Sequence, residues 1–111
     1  LMEKLILDVI DYLGDKVVFT EKKWKQKSIQ HPELRSKIFI KNLEDVIKSP
    51  EQVWEDYSDK KNKKCYYKKY SKDCYLKVII WCGDKPWRLV SAFTTNFIKE
   101  EKYQPEIKRL K

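Results

Sequence analysis

An α+β fold is predicted, with N-terminal helices packed on one face of a four- or five-stranded antiparallel β-meander. Three observations predict it. Residues 52–95 fall into short runs that alternate apolar and polar positions, the period of a half-buried strand. Residues 20–49 instead space Trp24, Ile29, Leu34, Ile38, Leu43, Val46 and Ile47 at near-helical intervals. Ser49-Pro50 separates the two patterns, and helices and strands segregated in this way build α+β layers. The 111 residues form a single domain with one modest core: an N-terminal hairpin or helix over 1–19, a helical layer over 20–49, the sheet over 52–95 and a charged tail over 99–111.

In the first segment, Leu5, Leu7 and Val9 alternate as a strand would, while Ile6, Val9, Ile10 and Leu13 fit a helical stripe. Gly14-Asp15 signals a turn and Val17-Val18-Phe19 is strand-like, which favours a β-hairpin. Thr20 is a good N-cap, and Glu21 suits the positive end of the helix dipole that follows. This helix carries Trp24 and Ile29 towards the core and ends near His31. Pro32 disfavours helical geometry at His31 and suits the first turn of a new helix. The second helix runs from Glu33 to Lys48, with a break expected around Asn42.

Gln52–Tyr57 can form a first strand. Three more are read from Lys60–Lys72, Cys74–Cys82 and Trp87–Thr94, separated by the polar turns Asp59–Asn62, Ser71-Lys72-Asp73 and Gly83-Asp84-Lys85-Pro86. In Cys74–Cys82 the face with Leu76, Val78 and Ile80 is apolar and packs on helices; the face with Tyr75, Lys77, Ile79 and Trp81 is mixed, as an open binding face would be. Simple alternation puts Trp87, Leu89, Ser91, Phe93 and Thr95 on one side of the last strand, and Arg88, Val90, Ala92 and Thr94 on the other. The tail from Lys99 reads as charged and partly mobile, with Pro105 interrupting any helix, and Glu100-Glu101 as ordinary surface charge.

Charged residues make up 38% of the chain against a usual ~25%, and 25 basic residues against 17 acidic give a net charge of +8. That balance steers polyanions towards the protein, nucleic acid first and anionic membrane second. Cys65, Cys74 and Cys82 are odd in number and lack CxxC spacing, so neither a disulfide framework nor a zinc site fits; reduced thiols are expected, although two could pair across neighbouring strands. No apolar run approaches the ~20 residues of a membrane span, and the opening lacks a signal-peptide pattern, so a cytoplasmic location is expected.

Between Lys60 and Lys72 seven lysines are interleaved with Tyr66, Tyr67 and Tyr70. Ammonium groups contact phosphates and phenol rings stack on unpaired bases, so Lys63, Lys64, Tyr67, Lys69 and Tyr70 are candidate RNA-binding residues. The plainer alternative is an edge strand guarded by lysine against aggregation. His31 is the only histidine. A lone histidine is ordinarily a packing or capping residue, but imidazole suits proton transfer near neutral pH. Having only one excludes paired-histidine acid–base chemistry and a histidine-rich metal site. Ser91, Thr94 and Thr95, near Arg88, are ordinary strand hydroxyls or holders of a scissile phosphate. Two glycines cannot build a P-loop, there is no GxSxG elbow, and no DxD-type cluster points to magnesium, so neither a metal nor a cofactor is expected.

Three stretches, FTEKKWKQKSIQHPEL from Phe19, VIKSPEQVWED from Val46, and YYKKY with YLKVIIW and LVSAFTTN between Tyr66 and Asn96, carry a resemblance. Together they resemble the phage-associated branch of the Barnase–EndoU–colicin–RelE superfamily of metal-independent ribonucleases. In that branch a His-Pro-Glu helix junction precedes a sheet ending in a Thr-Ala-Tyr-like motif. The resemblance implies a small RNA-cleaving toxin or effector domain. His31 matches the family's histidine and Ser91 the hydroxyl of the Thr-Ala-Tyr-like motif. Phe93 stands where relatives often have Tyr, Gln26 where another polar residue or His follows the Trp, and Gln30 where Arg often precedes His-Pro-Glu.

The reaction so implied is attack of a ribose 2′-hydroxyl on the adjacent phosphate, giving a 2′,3′-cyclic phosphate and a free 5′-hydroxyl. His31 is the expected general base or acid; Lys68, Lys77 and Arg88 stabilise the phosphorane; Ser91 and Thr95 orient the phosphate. RNA is the expected partner, with an acidic antitoxin or immunity protein as a candidate second one. Two other function classes share these features: a non-catalytic nucleic-acid-binding module, and a toxin-like protein-interaction domain bound by an acidic partner.

Overall fold

The computed structural model describes residues 3–111. Strand β1 (Leu5–Ile10) and strand β2 (Lys16–Thr20) form the N-terminal hairpin, of which the first two residues of the expected 1–19 segment lie outside the described residues. Asp11 organises its turn: Oδ1 accepts from the amides of Leu13 and Asp15, and Oδ2 accepts 2.7 Å from the Tyr66 hydroxyl. Gly14 sits at φ +93°, the left-handed region that a side chain would strain.

Helix α1 (Glu21–Gln30) starts where expected, with the Thr20 hydroxyl accepting from the Lys23 amide at 3.2 Å. It ends on His31, followed by a 3-10 turn at Pro32–Arg35. Helix α2 (Lys37–Lys48) begins at Ser36, whose hydroxyl accepts from the Phe39 amide. The break in the helical layer is therefore at Ser36, set by this cap, and not at Asn42. The cap also fixes the buried stripe as Phe39, Leu43, Val46 and Ile47, leaving Ile38 exposed. Ile29 is likewise exposed, whereas Trp24 packs on the core and its indole N–H donates 2.7 Å to the Leu34 carbonyl.

Strands β3 (Gln52–Glu55), β4 (Lys63–Ser71), β5 (Cys74–Trp81) and β6 (Trp87–Thr95) form the expected antiparallel meander. The whole sheet is larger and mixed. Its six strands run in the order β1-β2-β6-β5-β4-β3, because β2 joins β6 in parallel through Val17↔Trp87 and Val18↔Arg88. The helical layer is correspondingly inserted between the hairpin and the meander, not placed ahead of the sheet.

One face of the sheet buries Leu7, Val9, Val17, Phe19, Val53, Tyr66, Leu76, Val78, Ile80, Leu89 and Ala92 against α2 and Leu34. The opposite face carries a second cluster of Trp54, Cys65, Tyr67, Ile98 and Ile107. The C-terminal segment builds it and is not a mobile tail. A 3-10 turn at Lys99–Tyr103 crosses this face, and the chain end hydrogen-bonds along β3, with Leu110 donating 2.7 Å to Val53 and Glu55 donating 3.0 Å to Lys108. Those bonds also cover the exposed edge of β3. Among the described residues, no helix is long and apolar enough to cross a membrane.

Candidate active site

The part of the second face left uncovered is a groove of about 700 Å³. Its floor is Lys77 and Ile79 of β5 with Val90, Ser91, Phe93 and Thr95 of β6. A bulge in β6 shapes this floor. Ser91 pairs with Ile79 but Leu89 pairs with Ile80, so Val90 is an extra residue and the alternation changes phase there. Leu89 and Ala92 turn into the core while Ser91, Phe93 and Thr95 turn into the groove. The expected grouping of Leu89 with Ser91 on one side of the strand is corrected accordingly.

Helix α1 forms one wall. Lys23, Lys27 and His31 are four residues apart, and at 3.6 residues per turn they lie on one stripe. The two lysines line the groove. The His31 ring stands at its rim, stacked on Phe93 with centroids 5.4 Å apart and planes 18° from parallel. Its Nδ1 lies 3.4 Å from a carboxylate oxygen of Glu33, which directs Nε2 away from that partner.

The other wall is Asp56, Tyr57, Ser58, Lys63, Phe97 and Lys99. Tyr57 stacks on Tyr103 at 4.8 Å, and Lys99 donates 2.7 Å to the Tyr57 hydroxyl, a bond that raises the Lys99 pKa. Burial would raise Asp56, but hydrogen bonds from the Ser58 hydroxyl and amide and from the Cys65 thiol, together with the positive charge of Lys77, outweigh it and hold the carboxyl low. Five lysines thus face one ionised carboxylate, so the groove attracts anions.

Beside the groove, under the C-terminal segment, the Lys77 side chain is 5% exposed and Glu100 is wholly buried, with Nζ 3.2 Å from Oε2. The other Glu100 oxygen accepts from the Tyr67 hydroxyl. Burial and that acceptor both push the Tyr67 phenol up. Burial also raises the Cys65 thiol, which makes it a poor nucleophile, and all three cysteines are free.

A model of the phage-Barnase-EndoU-ColicinE5/D-RelE like nuclease2 family matches residues 7–110. The chain belongs to this family. No curated protein and no solved structure matches.

In this chain Lys77, Ser91 and Thr95 come together on the groove floor, with His31 at the rim and Lys63 on the far wall. The remaining expected site residues lie elsewhere. Lys68 is on the helix-facing side, paired to Asp45 at 2.8 Å, so it cannot reach a phosphate beside Ser91. Lys64 shares that side, 4.5 Å over the Trp87 ring, and Tyr70 packs edge-on against Phe39. Tyr67 has no exposed face and cannot stack a base. Lys69 follows it out of the groove, its amide bound to Glu51. Arg88 lies in an adjoining depression.

The lysine–tyrosine cluster does not form one surface because β4 is covered at its centre, Tyr66 by the helix-side core and Cys65 and Tyr67 by the C-terminal segment, while Lys69 and Tyr70 stay exposed away from the groove. The missed residues include Lys23, Lys27, Tyr57, Phe97 and Lys99 of the groove lining and the buried Glu100 that holds Lys77. Only the 23–27–31 spacing was a readable signal. The others enter through chain segments whose path no local pattern encodes.

Proposed function

We propose that this nuclease is an endoribonuclease that cuts by attack of a ribose 2′-hydroxyl on its own 3′-phosphate. The observation that carries the reading is the His31 ring fixed on Phe93 at the edge of a lysine-rich groove whose floor presents Ser91. His31 Nε2 accepts the 2′-hydroxyl proton, the 2′-oxygen bonds to phosphorus, and the bond to the 5′-oxygen breaks. The leaving oxygen takes its proton from an ammonium group of the groove. Products are a 2′,3′-cyclic phosphate and a 5′-hydroxyl, with atoms and charge conserved.

Stacking on Phe93 and the Glu33 contact hold the imidazole in one orientation, which general base catalysis requires. Ser91 and Thr95 orient the phosphate from the floor. Lys77, set by Glu100, offers a fixed donor to the phosphorane, an interaction worth about 3–4 kcal/mol in comparable sites. No step needs a metal ion.

The test is incubation of the protein with total RNA in excess chelator, wild type beside His31→Ala. Cutting should survive chelation and fall about 10²–10⁴-fold in the variant, while affinity for RNA stays within about twofold. Chelator-sensitive cutting would overturn metal independence. Equal cutting by the variant would remove His31 from the chemistry, and binding without cutting by the wild type would leave a nucleic-acid-binding module.

A further inference from the structure

A second depression, about 390 Å³, adjoins the groove and shares Lys23 and Val90 with it. It is built at the opposite end of the same sheet face. Trp81, the last residue of β5, stands in a row with Lys63 of β4 on one side and Arg88 of β6 on the other. Helix α1 contributes Lys22, Lys23 and Gln26, and Glu3 is the one carboxylate of the lining. Three cations therefore face one anion around an aromatic ring that is only partly buried.

The indole is also held in place. A Cβ at Gly83 would lie 2.7 Å from the Trp81 ring, so the ring rests on the glycine backbone, an approach no other residue permits. A supported aromatic surface flanked by arginine and lysine is what an unpaired base and its phosphates require. A paired base offers no free face, so duplex does not fit.

We propose that this depression is a second nucleotide subsite. The base of a nucleotide flanking the cut stacks on Trp81, its phosphates meet Arg88, Lys22 and Lys23, and Gln26 faces the base edge. The substrate class is then single-stranded RNA long enough to span both depressions, joined past Lys23 and Val90. This deepens the ribonuclease reading and rests on it for the identity of the polymer, but its test is equilibrium binding and needs no cleavage.

The probe is a fluorescent, uniformly 2′-O-methylated RNA hexanucleotide, which lacks the attacking hydroxyl, beside a duplex of the same sequence. The wild type should bind the single strand more tightly than the duplex. Trp81→Ala should weaken single-strand binding roughly 5–100-fold, with Trp81→Phe recovering most of it, since stacking and not shape is lost. Arg88→Gln, at an exposed position that folding does not need, should weaken it and flatten its dependence on log salt by about 0.7. Affinities of Trp81→Ala and Arg88→Gln within twofold of wild type would overturn the subsite, as would equal binding of duplex. Should Trp81→Ala not fold, Arg88→Gln decides alone. Loss of strand binding in these variants of a protein that cuts no RNA would sink the ribonuclease reading and leave the subsite standing; His31-dependent cutting with unchanged hexanucleotide affinity would do the reverse.

Discussion

Glu100 and Lys77 meet inside the protein with almost no water at either group, and the Tyr67 hydroxyl uses the second carboxylate oxygen. Removing one partner strands the other charge in a low-dielectric site, whereas removing both does not. Glu100→Ala is therefore expected to cost about 3–5 kcal/mol in urea unfolding, and the double variant Lys77→Met, Glu100→Leu clearly less. Neither residue's burial can be read locally. Glu100 sits in a doublet that looks like surface charge, and it is interior only because Ile98 and Ile107 anchor its segment over β4 and β5. Tyr67 shows the same limit in reverse, since its neighbours suggest a binding strand and its ring is sealed by that segment. His31 was more legible. Pro32 had to end α1, and uniqueness made the imidazole conspicuous; its Phe93 partner, 62 positions later, was beyond any local pattern.

Among the elements, α1 links the fold to the site most directly. It carries Lys23, Lys27 and His31 in register, and its first turn depends on the Thr20 hydroxyl. Thr20→Ala is expected to lose about 1 kcal/mol of stability, measured by thermal unfolding, and to lower RNA affinity as Lys23 loses its anchored turn. This helix, its cap and the meander strands were legible, because each follows from short-range periodicity and turn chemistry. The bulge at Val90 was not, as it requires knowing that Ser91 lies opposite Ile79. The parallel β2–β6 pairing was hidden for a like reason. Both strands read correctly in isolation, but nothing local says that they meet. The helix expected from Glu33 divides into the 3-10 turn at Pro32–Arg35 and α2 because the Ser36 hydroxyl caps the latter.

Across the molecule, charge is distributed so that a basic surface follows the sheet's second face, from Arg88 and Lys22 past Lys23 and Lys27 to Lys99. Association with single-stranded RNA should weaken linearly in log salt, with a slope of about −0.7 per phosphate neutralised. Lys27→Gln is expected to flatten that slope by about 0.7 in a salt titration followed by anisotropy, whereas exposed Lys72→Gln, outside both depressions, should leave it unchanged.

Lys23, Lys27 and His31 follow β2, Ser91 and Phe93 belong to β6, and only Val17↔Trp87 and Val18↔Arg88 stitch those strands together. The stitched positions are 70 residues apart in sequence. A chain emerging from the ribosome therefore holds its imidazole long before it holds the strand that must receive it. The wall and the floor of the groove therefore come face to face only when this late pairing is made.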